Sequence, residues 1–301
     1  VTRRLLSPWT LVVVTALVWG SAGIGAKELT GRGIDPWLLT AIPFLVGALL
    51  VLATTGTGGN TAASLRQGLA LGVIGTAGPT VLFNLAFRYL PLGITTLVIS
   101  LAPVVTNVTA HFVFPDERFN RGKAAGLAVA LGGAALLAAT APADIPRRPA
   151  LGLGLVFVGA VLAGVTGVIP RILALRWGAR RLIGPQLLGA GLAPAIVGLA
   201  AGDPGSLGTI GIDGWAILLG IGVVAEYVGF RSILAVNERA TASQASVVGY
   251  IIPLVGVIAG VIFFGERLRP VVLAGGALIL LGVALVGRAT RKPALAPGTP
   301  G

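Results

Sequence analysis

Ten acidic residues occur in this chain of 301, and nine of them lie close to polar segments. Glu226 does not. It sits inside the apolar run "GWAILLGIGVVAEYVGFRSILAV" from Gly214 to Val236. As a helix at 1.5 Å per residue, that run places Glu226 about 16 Å from Asn237, roughly half of a 30 Å hydrocarbon core. A carboxylate at such depth costs about 2.5–3.5 kcal/mol on insertion scales, so it should face a cavity or a partner. There it can bind a cationic group or exchange protons in a transport cycle. The competing reading is a glutamate neutralised by a structural hydrogen bond. Arg231 is a poor ion-pair partner, because five residues along a helix is a turn of about 140°. Its long side chain can snorkel to the nearer membrane face. Tyr227, four residues before Arg231, shares that face better.

A second set of candidates surrounds two prolines. Pro103, Asn107 and His111 fall on one helical stripe at spacing four. Pro103 lacks a backbone donor and so frees a carbonyl near mid-membrane. Pro253 stands at the corresponding point of a later apolar run, with Ser246 and Tyr250 on its face. Interrupted helices at matched positions of two halves point to a transport site, and a bend that only improves packing is the alternative. His111 lies near a helix end and reads as interfacial. Trp19, Ser21, Asn84 and Thr166 are further candidates to line a central path, or to bond a neighbouring helix.

No catalytic constellation accompanies them. One histidine and one deep carboxylate make neither a catalytic triad nor a three-ligand zinc site. The chain has no cysteine, so disulfides and thiolate metal sites are excluded. A phosphate-binding glycine loop with its Lys-Ser/Thr ending is also missing, which leaves a gradient, not ATP, as the energy source. No cofactor or metal is expected.

The elements that must position these residues follow from composition. The chain is 55% hydrophobic and 11% charged, with a mean hydropathy of +0.95. Soluble domains carry about 25% charged residues, so lipid is the solvent for most of this surface. The net charge of +12 comes from scattered basic residues without aromatic interleaving, and nucleic acid is not an expected partner. Apolar stretches of spanning length recur at Trp9–Ala26, Trp37–Thr54, Gly68–Phe87, Gly93–Phe114 and Lys123–Ala141. They recur again at Ala150–Pro170, Leu182–Ala201, Gly214–Ala235, Thr241–Phe264 and Pro270–Gly287. At these lengths only helices satisfy their own backbone in lipid, so the expected fold is an all-α integral membrane protein with ten transmembrane helices.

The first span is longer than a signal-peptide core and is read as retained. With the N-terminus inside, fourteen basic residues fall on the cytoplasmic side and seven outside, with Arg231 within a span. That excess places both termini in the cytoplasm. Val1 reads as a literally translated GTG start, and nineteen arginines against three lysines suit a GC-rich bacterial gene. The expected location is therefore a bacterial inner membrane. Residues 291–301, "RKPALAPGTPG", are expected to be a disordered cytoplasmic tail.

One polar phrase occurs twice. "VFPDERFN" contains Glu117, followed by Gly126 and Gly133; "FFGERLRP" contains Glu266, followed by Gly275 and Gly282 at the same two spacings. Pro103 and Pro253 precede them, and Gly20 and Lys27 match Gly164 and Arg171. The chain therefore reads as two five-helix repeats, residues 1–142 and 143–290. Five is odd, so the second inserts inverted, as in alternating-access transporters. Glycines at spacing seven suit close helix packing.

The pattern "LAPVV…FPDERF…G…G", its partner "IIPLV…FFGERL…G…G" and "ALVWGS" in the first span resemble the EamA-type transporters of the drug/metabolite transporter superfamily. The resemblance covers roughly Trp9 to Gly287. It implies ten helices, cytoplasmic termini and outward movement of small metabolites, amino acids or drugs. "PDER" stands where the family usually has glycine before the glutamate, which is expected to alter a turn. The expected function is a secondary exporter of a small molecule, with protons as a candidate coupling ion and a homodimer as a candidate assembly. An importer or a lipid-linked flippase of the same fold is the alternative.

Overall fold

Proline and small polar residues set where the helices begin. Ser7 caps α1 (Pro8–Gly31) by accepting from the Thr10 amide, and Asp35 caps α2 (Pro36–Thr55) by accepting from Trp37 and Leu38. In both, proline fills the first helical position, where a missing N–H leaves nothing unpaired. Thr61 and Ser64 form a capping box at the start of α3 (Ala62–Ala86). These starts belong to a computed structural model that describes residues 7–56, 59–115, 120–139, 148–239, 248–267 and 269–289.

Every regular element among the described residues is helical. After α3 come α4 (Leu92–Val113), α5 (Arg121–Ala139), α6 (Pro149–Trp177) and α7 (Ala179–Ala201). α8 begins at Gly211 and runs through Gly222–Gly229 into Phe230–Arg239. α9 (Val248–Phe264) and α10 (Pro270–Ala289) complete the order. Eight of these are long and apolar enough to cross a membrane, and α9 contains the shorter apolar helix Ile251–Phe264. Leu49, Ile196, Leu199 and Ile262 stand well exposed on the outside, as side chains meant for lipid do.

The helices pack in matching pairs. α5 lies against α10 and α2 against α7; α1 packs on α9 as α6 packs on α4. Glycine makes the close approaches possible. A Cβ added to Gly126 would meet the Gly282 carbonyl at 2.7 Å, and one added to Gly133 would meet the Gly275 carbonyl at 2.5 Å. Early residues of α5 thus face late residues of α10, so the two helices run antiparallel through the glycines expected to pack. Gly20 likewise rests on Val255, and its sequence counterpart Gly164 rests on Val105.

Three features differ from the sequence expectation. α6 turns at Gly167–Val168 and resumes at Ile169, running through Arg171 and Arg176 to Trp177, and Gly178 (φ 84°) alone joins it to α7; α1 carries Lys27 inside the helix. Arginine and lysine are good helix formers, so charge ends the lipid contact before it ends the helix. Second, α4 breaks at Ser100–Leu101, placing Pro103 in the first turn of the following segment, whereas Pro253 lies within the continuous α9. Third, α3 and α8 each contain a π-helical stretch, Gly72–Ala77 and Gly222–Gly229, that the periodicity did not announce. The phrase around Glu117, Ser246, the Tyr250 side chain and the tail lie outside the described residues.

Candidate functional site

The two π segments begin at matching words. Leu71-Gly72-Val73-Ile74-Gly75-Thr76 is answered by Ile221-Gly222-Val223-Val224-Ala225-Glu226. Each starts on a glycine pressed against a neighbouring helix. Gly72 meets the Gln186 carbonyl and the Ala190 amide of α7, while Gly222 meets Val46 and the Pro43 carbonyl of α2. Those neighbours match as well, Pro185-Gln186-Leu187-Leu188-Gly189-Ala190 against Pro43-Phe44-Leu45-Val46-Gly47-Ala48. A π turn adds a residue to the helical repeat, shifts the following side chains round the axis, and recurs at functional sites.

Glu226 lies in the α8 π segment, partly exposed to internal space. Gly47 makes room for it, because a Cβ there would lie 2.6 Å from the Glu226 Cβ. Among the described residues Glu226 has no hydrogen-bond or ion-pair partner. Its counterpart Thr76 has one: Gln186 Nε2 donates to Thr76 Oγ1 at 3.0 Å. The residue matching Gln186 in α2 is Phe44, which is buried and has nothing to donate.

Two cavities meet at this carboxylate. One, of about 580 Å³, extends toward Ala174, Ala179 and Leu234 and has the Gln186–Thr76 pair in its wall. The other, of about 190 Å³, extends toward Ala26, Leu39 and Phe87 and is lined by Thr40 and Asn84. Glu226, Trp19, Phe44, Thr80, Phe83 and Ile99 line both. The larger volume lies within the range of small-molecule sites.

Trp19 holds the π segment in place. Its Nε1 donates to the Ala225 carbonyl at 3.2 Å, and its ring meets Phe230 edge to face with centroids 5.7 Å apart. Asn84 Nδ2 donates to Thr40 Oγ1 at 2.9 Å, both side chains being buried. Trp19, Asn84 and Glu226 are thus brought together from three helices.

The remaining candidates stand elsewhere. Tyr227 packs beside Phe44 and Ala48, under the Arg231 guanidinium. Arg231 donates to Thr54 Oγ1 at 3.2 Å instead of pairing with Glu226. Ser21 and Thr166 bond backbone carbonyls of their own helices, and neither lines these two cavities. Pro103 is exposed, Asn107 Nδ2 donates to its carbonyl at 2.9 Å, and His111 lies edge to face with Phe112. Pro253 is buried in α9, while its neighbour Ile252 lines the smaller cavity. Phe44, Thr76, Thr80, Phe83 and Gln186 were not candidates from sequence. Only the match between 71–76 and 221–226 could have marked Thr76, and nothing marked the phenylalanines.

Fixed charges brace the end beyond the smaller cavity. Lys27 Nζ donates to the Phe87 and Leu90 carbonyls at 2.6 and 2.7 Å, at the end of α3. Glu266, from the repeated phrase, accepts from the amides of Leu92 and Gly93 at the start of α4. Each charge opposes the partial charge of the helix end it touches. Arg32 bonds Asp213 and Glu28 nearby, which hold its guanidinium above its usual range.

The EamA-like transporter family matches twice, over residues 7–139 and 150–288. An uncharacterized transporter of Archaeoglobus fulgidus is 27% identical over 284 residues, covering 94% of this chain and 99% of its own. A protein of Streptantibioticus cattleyicolor named "Probable terminal-alkyne amino-acid exporter" is 28% identical over 298 residues, covering 96% and 97%. A solved crystal structure superposes with a TM-score of 0.67 at 20% identity, over 95% of this chain and 99% of its own, and shows a shared fold. With apolar helices throughout and both halves matched, the chain is a multi-pass membrane protein that belongs to the EamA-like transporter family.

Proposed function

We propose that this protein is a secondary active transporter that exports a small metabolite, amino acid or drug-like compound across a bacterial inner membrane by alternating access. The observation that carries the reading is Glu226, an acid without a described partner at the junction of two cavities that extend toward opposite ends of the bundle. Two compartments sharing one wall are what an alternating-access cycle needs, since one site must be reached from either side in turn. Residues 1–142 and 143–290 act as inverted five-helix repeats. The antiparallel glycine contacts of α5 with α10, the paired π segments and the double family match support that arrangement. α5 and α9 bring the crossings to ten.

With both termini cytoplasmic, the larger cavity faces the cytoplasm. Arg176, Arg180 and Arg181 near that end support this side. The name of the Streptantibioticus relative supports the outward direction. Proton exchange at Glu226 supplies the coupling, and the chain performs no covalent chemistry on its cargo.

The test compares metabolites in medium and cell extract of a bacterial host carrying wild type, Glu226→Gln or empty vector. A compound enriched outside only with wild type is the expected result. Equal enrichment with both proteins would keep the exporter and remove Glu226 from its mechanism. No difference from vector, with protein present in the membrane, would shift the reading to uptake or lipid flipping.

A further inference from the structure

We infer that the central site selects an organic monocation with an apolar body, an amine in preference to the corresponding amino acid. This deepens the transport reading and rests on Glu226 facing the cargo. Three observations carry it.

The first is charge. Glu226 is the one ionisable side chain among the described residues lining either cavity. Two basic groups able to balance a second carboxylate are engaged elsewhere. Lys27 is held by the carbonyls of Phe87 and Leu90, and Arg231 by Thr54 and the Tyr227 ring. An ammonium beside Glu226 is therefore compensated. The α-carboxylate of an amino acid would enter the same low-dielectric space as a second anion, without a counter-charge.

The second is the comparison between matched positions. Thr76 has its polar partner in Gln186, while the residue matching Gln186 in α2 is Phe44, which lines both cavities with Glu226 and offers it no hydrogen bond. Buried polar groups are normally paired, so an acid left open beside an apolar neighbour calls for a partner from outside the chain.

The third is shape. Trp19, Phe44 and Phe83 line both cavities beside the carboxylate, with Phe230 next to Trp19. Aromatic rings around an acid receive a cation on their faces and an apolar body between them. Thr80 and Asn84 offer neutral hydrogen bonds, which suit one polar end and not two opposite charges.

The experiment measures binding of 2-phenylethylamine, 2-phenylethanol and phenylalanine by calorimetry at pH 7, using the full chain purified in lipid nanodiscs. The three share one phenylethyl body and differ in the polar head: an ammonium, a hydroxyl, or an ammonium with a carboxylate. The amine should bind at least about tenfold more tightly than the other two, a difference that one well-placed charge contact supplies. Glu226→Gln should level the three, and Glu226→Asp should retain the order, which separates lost charge from lost folding. Phenylalanine or the alcohol binding as tightly as the amine would overturn the inference, as would an amine preference that survives Glu226→Gln. Binding of none of them to folded wild type would overturn it too. The transport reading falls on a different result, the absence of any exported compound from cells.

Discussion

The α3 and α8 π segments are built alike and differ at one decisive pair of positions. Both start on a glycine seated against the backbone of a neighbouring helix, α7 for Gly72 and α2 for Gly222. Five residues into the matched words, α3 carries Thr76 with a glutamine across from it, and α8 carries Glu226 with a phenylalanine. The first pair is closed, with donor and acceptor satisfied inside the bundle. The second is open, because Phe44, which lines both cavities with Glu226, has no group to pair with the carboxylate. Two segments of matching sequence thus differ in role, one completing the cavity wall and the other presenting an unpaired acid.

Among substitutions that leave Glu226 in place, the largest expected effect comes from closing the open segment. Phe44→Gln should give Glu226 the partner that Thr76 already has. A hydrogen bond worth about 1 kcal/mol, competing with cargo, weakens amine binding roughly fivefold in calorimetry. Phe44→Leu keeps the site apolar and separates this effect from lost packing. If Phe44→Gln binds the amine as tightly as wild type, the two positions are not equivalent and the comparison breaks.

A smaller effect should follow from loosening the α8 segment. Trp19→Phe removes the donor to the Ala225 carbonyl but keeps an aromatic ring against Phe230. A loss of about 1 kcal/mol of stability is expected, read as a lower thermal midpoint, with a modest fall in transport. An unchanged midpoint would mean that Trp19 serves the cavity without bracing the helix.

The smallest effect belongs to the closed half. Gln186→Leu leaves the Thr76 hydroxyl without its donor and should cost about 1 kcal/mol or less. Amine selectivity should fall less than twofold, measured with the same three ligands. A larger loss of selectivity would place Gln186 in direct contact with cargo and sharpen the assignment of the site.

Much of the fold was legible because lipid imposes a simple code. A run of about 20 apolar residues must be helical, and glycines spaced at seven must meet another backbone. Gly126, Gly133, Gly275 and Gly282 do so. Glu226 was legible for the same reason, since an acid amid apolar residues stands out against its surroundings. Its indifference to Arg231 followed from helix geometry and holds in the structure. The repeated phrase was visible as a helix-end motif, and Glu266 does cap the start of α4. The prolines were harder. A local rule states what proline removes, while the neighbouring helices decide whether the chain breaks, as at Ser100–Leu101, or continues through Pro253.

By itself the sequence determined the solvent, the apolar spans, the glycine contacts and the one acid that lipid would not accept alone. These are properties of single segments and follow from local composition and spacing. Only the tertiary structure decided which side chains surround that acid. The π turns at Gly72 and Gly222 rotate the helices beyond the reach of a 3.6-residue periodicity. Trp19, Phe44 and Phe83, from three separate helices, line the same cavities as Glu226. A cavity is the space between helices, and no single segment encodes it.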